Sequence, residues 1–217
     1  MDLLFLDSAM PADIQLAASS GLVSGVTTNP SILRQAAPTT TPIVHLLSLF
    51  ELFPDGPIFY QIHARDAASA RTQVDELVTQ LGDDAPRVIF KLPAQFEWFS
   101  FGARLVRQGH HVAFTAVYHP GQMIAAMQAG ARYVIPYVDR ARRLRPDSRD
   151  VVAQLSAVSR PGSPGILAAS IKSAEQALEA FANGAEAITT TWEVIEALTT
   201  DELTDSAVNQ FRTEVPL

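Results

Sequence analysis

Residues 58–93 read IFYQIHARDAASARTQVDELVTQLGDDAPRVIFKLP, and this stretch decides the fold. A short apolar run, Ile58–Ile62, is followed by an amphipathic one, Ala67–Leu81, and then by a second apolar run, Val88–Leu92. Short apolar runs bounded by turn residues read as buried strands, and the longer amphipathic run between them reads as a crossover helix. The unit repeats downstream. Helix Phe96–Arg107 precedes strand His111–Thr115, and helix Gly121–Ala129 precedes strand Tyr133–Tyr137. Helix Asp150–Val158 leads to strand Ile166–Ala169, and helix Ala174–Asn183 to strand Ala187–Thr190. Helix Trp192–Leu198 follows, and Asp201–Arg212 reads as an additional terminal helix.

Upstream, Leu3–Leu6 and Val26–Thr28 read as strands and Pro11–Ser20 as the helix between them. Pro30 suits a first helical turn, and a helix from Pro42 to Phe53 ends at Pro54-Asp55-Gly56. Eight strands, each followed by a helix, predict a parallel sheet closed as a (β/α)8 or TIM barrel, with the extra helix at the C-terminal end. An open doubly wound sheet is the competing architecture. No G-x-G-x-x-G follows the first strand, which counts against its dinucleotide-binding form. No linker or composition break divides the chain, so residues 1–217 read as one domain, with 200–217 a terminal helix and tail that could pack on a neighbouring subunit.

Composition excludes several functions. The chain has 217 residues, 47% hydrophobic, enough for a full core and too apolar for disorder. It has no Cys, hence no disulfide framework, thiolate nucleophile or Cys-based metal site. A net charge of −7 argues against a nucleic-acid surface. The start, MDLLFLDSAM, lacks a basic region and is broken by Asp7, which is unlike a signal peptide. With no apolar run long enough to span a bilayer, a cytoplasmic location is expected. His45, His63, His110, His111 and His119 show no metal-ligand spacing and read as structural or solvated.

Basic residues are almost all arginine: of 16, only Lys91 and Lys172 are lysines. Lys91 lies inside the apolar strand run RVIFKLP, where solvent exposure is a poor explanation. Only an amine condenses with a carbonyl, so a desolvated strand lysine points to Schiff-base chemistry. In a barrel the strand C-terminal ends converge on one mouth. The polar residues expected there are Asp7, Thr27, Thr28, Asn29, Gln61, His63, Lys91, Thr115, Tyr137, Ser170 and Thr189. Tyr137 and Asp7 are the acid/base candidates. Bland readings stand beside each: a Lys91–Asp7 salt bridge, a Tyr137 ring that caps the barrel, Gln61 and Thr115 as ordinary strand ends, Asn29-Pro30 as a turn. Arg140, Ser170 and Lys172 follow late strands, where phosphate docks in this fold. Arg140 could instead belong to the solvated run Arg140–Arg149, which holds five Arg.

Five segments carry a resemblance: GVTTNPSIL (25–33), VIFKLP (88–93), FTAVY (114–118), ARYVIPYVDR (131–140) and ILAASIKSAEQAL (166–178). In order and spacing the chain resembles the transaldolase family, and within it the short fructose-6-phosphate aldolase group, over nearly its whole length. The resemblance implies a Schiff base on Lys91, with no external cofactor and no metal. It implies that Asp7 positions substrate hydroxyls, that Asn29 and Thr27 bind the sugar, that Thr115 helps hold a catalytic water, and that Arg140, Ser170 and Lys172 hold phosphate. Transaldolases resemble one another in a Glu where this chain has Gln61 and a Phe where it has Tyr137. The pair present here is that of the aldolase group.

The implied reaction cleaves or forms the C3–C4 bond of a ketose phosphate, fructose 6-phosphate giving dihydroxyacetone and glyceraldehyde 3-phosphate, or a close analogue. A transaldolase, a non-catalytic barrel of the same fold and a deoxyribose-phosphate aldolase are the rivals. The expected partners are sugar phosphates, short ketones and aldehydes, and copies of the chain in a pentamer or decamer. Three features depart from the family pattern. Ile135 stands where a small residue is usual near the donor hydroxyl, and would favour a smaller donor such as hydroxyacetone or glycolaldehyde. Residues 93–105, PAQFEWFSFGARL, are unusually aromatic, and the Arg140–Arg149 run is unusually basic.

Overall fold

The computed structural model describes residues 2–146 and 149–214. Eight parallel strands close into a barrel in sequence order: β1 Leu4–Asp7, β2 Gly25–Thr27, β3 Ile58–Gln61, β4 Val88–Pro93, β5 His111–Val117, β6 Tyr133–Pro136, β7 Gly165–Ala168 and β8 Ala187–Thr190. Helices alternate with them: α1 Pro11–Ser20, α2 Pro30–Ala36, α3 Pro42–Leu52, α4 Ala67–Leu81, α5 Phe96–Arg107, α6 Pro120–Ala129, α7 Val138–Leu144, α8 Val151–Val158, α9 Ala174–Ala182, α10 Trp192–Ala197 and α11 Glu202–Glu214. The fold is thus the (β/α)8 barrel with a terminal helix that the sequence pattern predicts.

Two differences concern connections. A 3-10 segment, Gly82–Arg87, links α4 to β4. The basic run, read as a helix start or loop, begins inside α7, and residues 147–148 of it lie outside the described part. α7 forms because Val138 and Ala141 bury one face, while Arg143 pairs with Asp139 one turn back at 2.9 Å.

Strands buried on both faces carry no polar alternation, yet they separate two cores. Spacing between paired strands keeps odd residues beside odd ones: Phe5 with Gly25, Asp7 with Thr27, Gln61 with Lys91, Ala113 with Tyr133. Odd positions face the axis, where Phe5, Phe59, Ile89, Tyr133, Ile135 and Leu167 form an inner cluster. Even positions such as Leu6, Val26, Phe90, Phe114, Val134 and Ile188 join the outer cluster under the helices. Alternation along each pleated strand forces this division.

The floor of the barrel is aromatic. Phe5, Phe59 and Tyr133 pack with ring centroids 5.5 to 6.0 Å apart. Gly25 admits this plug: a Cβ there would lie 2.6 Å from the Pro57 carbonyl oxygen and 2.9 Å from the Phe5 ring. Gly25→Ala is therefore expected to destabilise by about 1–3 kcal/mol through overpacking. A denaturant titration with an unchanged midpoint would show that the floor can give way.

Candidate active site

Above the floor, most odd residues change from apolar to polar where the strands reach the mouth, Ala169 after β7 being an exception. A cavity of about 470 Å³ opens there, lined among others by Asp7, Asn29, Gln61, Lys91, Tyr137 and Thr189, with Arg140, Ser170 and Lys172 on its rim. A larger groove, about 700 Å³, runs outside the barrel along α3 and α4. It contains His63, whose ring meets Gln73 at 2.9 Å. His63 is thus held on the outside of the barrel and does not line the cavity of the other predicted mouth residues, although it shares a smaller neighbouring pocket with Gln61.

Lys91 is 4% exposed, in the middle of β4. Its Nζ donates to the Thr28 carbonyl oxygen at 2.8 Å. The Thr28 hydroxyl turns away from the cavity and donates to the Phe59 carbonyl at 2.7 Å. Burial lowers the lysine pKa to about 8, against the pull of the Asp7 carboxylate in the opposite direction. Asp7 acts on Lys91 through its field. Among the described residues the two form no ion pair within contact distance, so the simple salt-bridge reading is replaced by an ammonium on a backbone carbonyl.

Asp7 has other partners. Thr27 Oγ1 donates to Asp7 Oδ1 at 2.8 Å and lies 2.6 Å from Thr189 Oγ1. The carboxylate only accepts, so the single Thr27 proton goes to Asp7 and Thr189 must donate to Thr27. Three strands, β1, β2 and β8, thus hold the carboxylate through two hydroxyls. Thr189 is a site residue whose place in this chain the sequence did not mark beyond its position at a strand end.

Tyr137 follows β6 and is the N-cap residue of α7. Thr115 Oγ1 donates to its phenol oxygen at 3.1 Å, leaving the phenolic proton for another acceptor. Burial raises the phenol pKa, opposed by the Thr115 hydrogen bond. A bulge in β5 aims Thr115: the register with β6 shifts between Thr115 and Val117, and Ala116 takes a left-handed φ of 58°. Tyr118 packs edge-on to the phenol at 6.1 Å between centroids.

The other predicted residues are distributed as follows. Asn29 caps α2, its Oδ1 accepting from Ser31 N and Ile32 N, so the turn reading and the cavity reading both hold for it. Gln61 lines the cavity at the end of β3, paired in register with Lys91. Ile135 is 1% exposed and belongs to the inner apolar cluster below the mouth, packed with Tyr137 at the cluster edge. It is not among the residues that line the cavity. Ser170 sits on the rim in a left-handed conformation, φ 60°, unusual for a residue with a Cβ. Lys172 is exposed, and its backbone N–H is held by Gln176 at 2.9 Å. Arg140 lies with its guanidinium carbon 5.0 Å from the centre of the Tyr137 ring. Three other arginines of the run are engaged elsewhere: Arg142 with Glu179 at 2.6 Å, Arg143 with Asp139, and Arg145 with the Tyr118 carbonyl at 3.3 Å.

Of the other histidines, His111 is exposed and three serve local structure. His45 bonds the Ala9 carbonyl at 2.8 Å, His119 caps α6, and His110 meets Phe90 edge-on at 5.5 Å. No group of three or more metal-ligating side chains occurs among the described residues. No helix among them is long and apolar enough to cross a membrane.

A closed parallel barrel with a desolvated amine in its mouth is an architecture suited to class I aldolase chemistry. The chain belongs to the transaldolase/fructose-6-phosphate aldolase family, whose model matches residues 4–215. A "probable transaldolase" of Coprothermobacter proteolyticus is 30% identical over 210 residues, 95% of this chain and 93% of that protein. A solved structure described as "Native KDPGal structure" superposes with a TM-score of 0.57 over 87% of this chain and 81% of its own. At 14% identity that likeness concerns the fold alone. The family is enzymatic and works through a covalent Schiff base on a lysine, without an external cofactor.

Proposed function

We propose that this chain is a class I aldolase that cleaves and forms the C3–C4 bond of a ketose phosphate, fructose 6-phosphate or a close analogue, with Lys91 as the Schiff-base lysine. The observation that carries this reading is the buried Lys91 amine, held on the Thr28 carbonyl in a cavity shared with Tyr137 and Gln61.

In this mechanism the free Lys91 amine adds to the C2 ketone and expels water, giving an iminium. The C4 hydroxyl passes its proton to the acid/base pair formed by Tyr137 and a water held by Gln61 and Thr115. The C3–C4 electron pair moves to the iminium, leaving an enamine, and the aldehyde departs. Protonation at C3 and attack of water on the regenerated iminium release dihydroxyacetone and free Lys91. Asp7, held by Thr27 and Thr189, aligns the hydroxyls of the bound chain with Asn29. Arg140, Ser170 and Lys172 take the phosphate. Ile135 lies beneath Tyr137 and outside the cavity lining, so it bears on donor size only through the ring above it. A smaller donor such as hydroxyacetone or glycolaldehyde is the expected preference, and donor kinetics of Ile135→Ala, shifted toward dihydroxyacetone, would test it.

A transaldolase is the second reading, supported by the name of the Coprothermobacter proteolyticus relative. The pair Tyr137 and Gln61 supports the aldolase, since a phenol can move the proton that a Glu–water pair moves in a transferase. Without a second aldehyde an aldolase turns over fully, whereas a transferase stops after one equivalent of product. α11 buries none of its residues and exposes Leu203 and Phe211, which supports packing against another subunit in a pentamer or decamer. Its tail, residues 215–217, lies outside the described part. We place the enzyme in the cytoplasm, as one domain, with small molecules rather than nucleic acid or membrane as partners.

The test is mass spectrometry after borohydride reduction with fructose 6-phosphate, dihydroxyacetone and hydroxyacetone in turn. One adduct on Lys91 is expected. Its rate of formation should rise with pH and level off above about pH 8, since only the unprotonated amine attacks. No adduct with any ketone would favour the non-catalytic barrel.

A further inference from the structure

We propose that Arg140 is a positioning residue for the Tyr137 phenol, so that occupation of the phosphate end of the cavity is felt at its acid/base end. The proposal rests on the roles given above to Tyr137 and Arg140.

The coupling follows from the local chain. Tyr137 precedes the first turn of α7 and Arg140 stands three residues later, so their side chains are neighbours on one helix face. Arg142 and Arg143 of the same helix are matched to carboxylates, but Arg140 forms no ion pair among the described residues. Its guanidinium instead lies 5.0 Å from the ring centre of Tyr137. The other groups facing the phenol are Thr115 from β5, Tyr118 just after β5 and the Asp7 carboxylate of β1; Lys91 and Gln61 line the same cavity. The ring is therefore fixed by Thr115 at its oxygen, Tyr118 at one side and the guanidinium over its face.

A cation over the face of a phenol favours the phenolate over the phenol. A phosphate dianion that pairs with Arg140 cancels that charge and draws the planar fork toward itself. The phenol then holds its proton more tightly when phosphate is bound and releases it more readily when the rim is empty. A substrate with a phosphate thus sets the acid/base group differently from one without.

The experiment reads the phenol directly. Tyrosinate absorbance is titrated in the wild type and in Tyr137→Phe, and the difference isolates Tyr137. Arg140→Met, an exposed position where folding is not at stake, is expected to raise the Tyr137 midpoint by about half to one pH unit. Inorganic phosphate should raise the midpoint in the wild type and leave it unchanged in Arg140→Met. With unphosphorylated glyceraldehyde as acceptor, kcat of Arg140→Met should fall about three- to tenfold. A midpoint that does not move, with an effect confined to KM for the phosphorylated aldehyde, would reduce Arg140 to a phosphate ligand and overturn the coupling. Equal movement with phosphate in both proteins would do the same. Failure of the aldolase reading shows elsewhere, as absence of a borohydride adduct on Lys91, and leaves the titration interpretable.

Discussion

Lys91→Met is expected to abolish the borohydride adduct and to lower aldol cleavage by at least about 10⁴-fold, as removal of a covalent nucleophile does. The same exchange should make the protein more stable. In the folded chain the Lys91 pKa lies at about 8, below the ordinary lysine value of 10.5, because burial disfavours the ammonium. That gap corresponds to about 3 kcal/mol at neutral pH. The sign is fixed by proton counting. Between about pH 8 and 10.5 the unfolded chain binds more protons at this residue than the folded one, so wild-type stability rises with pH across that window. Below about pH 8 the full penalty applies. Met removes the penalty but leaves the Thr28 carbonyl without its donor, an offset of about 1 kcal/mol. A net gain of about 2 kcal/mol at pH 7 remains, narrowing toward pH 10. Urea melts of both proteins at pH 7 and pH 9.5 check it. A variant less stable than wild type at pH 7 would mean that the buried ammonium is better solvated than its surroundings indicate.

Tyr137→Phe is the second large effect. The phenyl ring keeps the packing with Tyr118 and with the inner cluster, so the fold should not suffer. What is lost is the hydroxyl that meets Thr115 at 3.1 Å. Cleavage is expected to fall by about 10²- to 10⁴-fold, the range for a positioned acid/base group. Trapping on Lys91 should persist, because the amine and its Thr28 partner are untouched. Adding Gln61→Glu should restore part of the rate through a carboxylate-held water, and shift the product balance toward transfer to an added aldehyde. Loss of trapping in Tyr137→Phe would place the phenol in formation of the iminium rather than in C–C cleavage. Unchanged turnover would leave the ring as a packing element only.

Much of this arrangement is legible in the sequence, for a definite reason. Strands buried on both faces are continuous apolar runs, and a lysine inside one of them, as in RVIFKLP, has few explanations other than a desolvated site. The strand ends then name the mouth residues directly, and Asp7, Gln61, Lys91, Tyr137 and Ser170 do meet around one cavity. What the sequence leaves dark depends on register across the barrel. The Lys91 ammonium rests on the Thr28 carbonyl, a backbone group with no residue-type signal. Thr189 reaches Thr27 only because β8 closes against β1. His63 follows a strand end like Gln61 does, but its ring is held by Gln73 of α4 outside the barrel. The Arg140–Tyr137 stack escaped for a different reason. An arginine-rich run reads as solvated, and only the folded chain shows that Arg140 is the one on the cavity rim, over the phenol.

The parity of the strands has a practical consequence for anyone altering this catalyst. Because odd strand positions face the axis and even ones face the helices, except past the β5 bulge where Val117 turns outward, the two sets can be diversified as separate libraries with little crosstalk. Exchanges at the odd mouth positions rewrite the reaction vessel, while exchanges at even positions tune heat tolerance. Single-residue insertions or deletions within a strand are the mutations to avoid. Each would turn the remaining residues of that strand inside out, putting Lys91 or Asp7 among the helices and Leu92 or Leu6 into the reaction vessel.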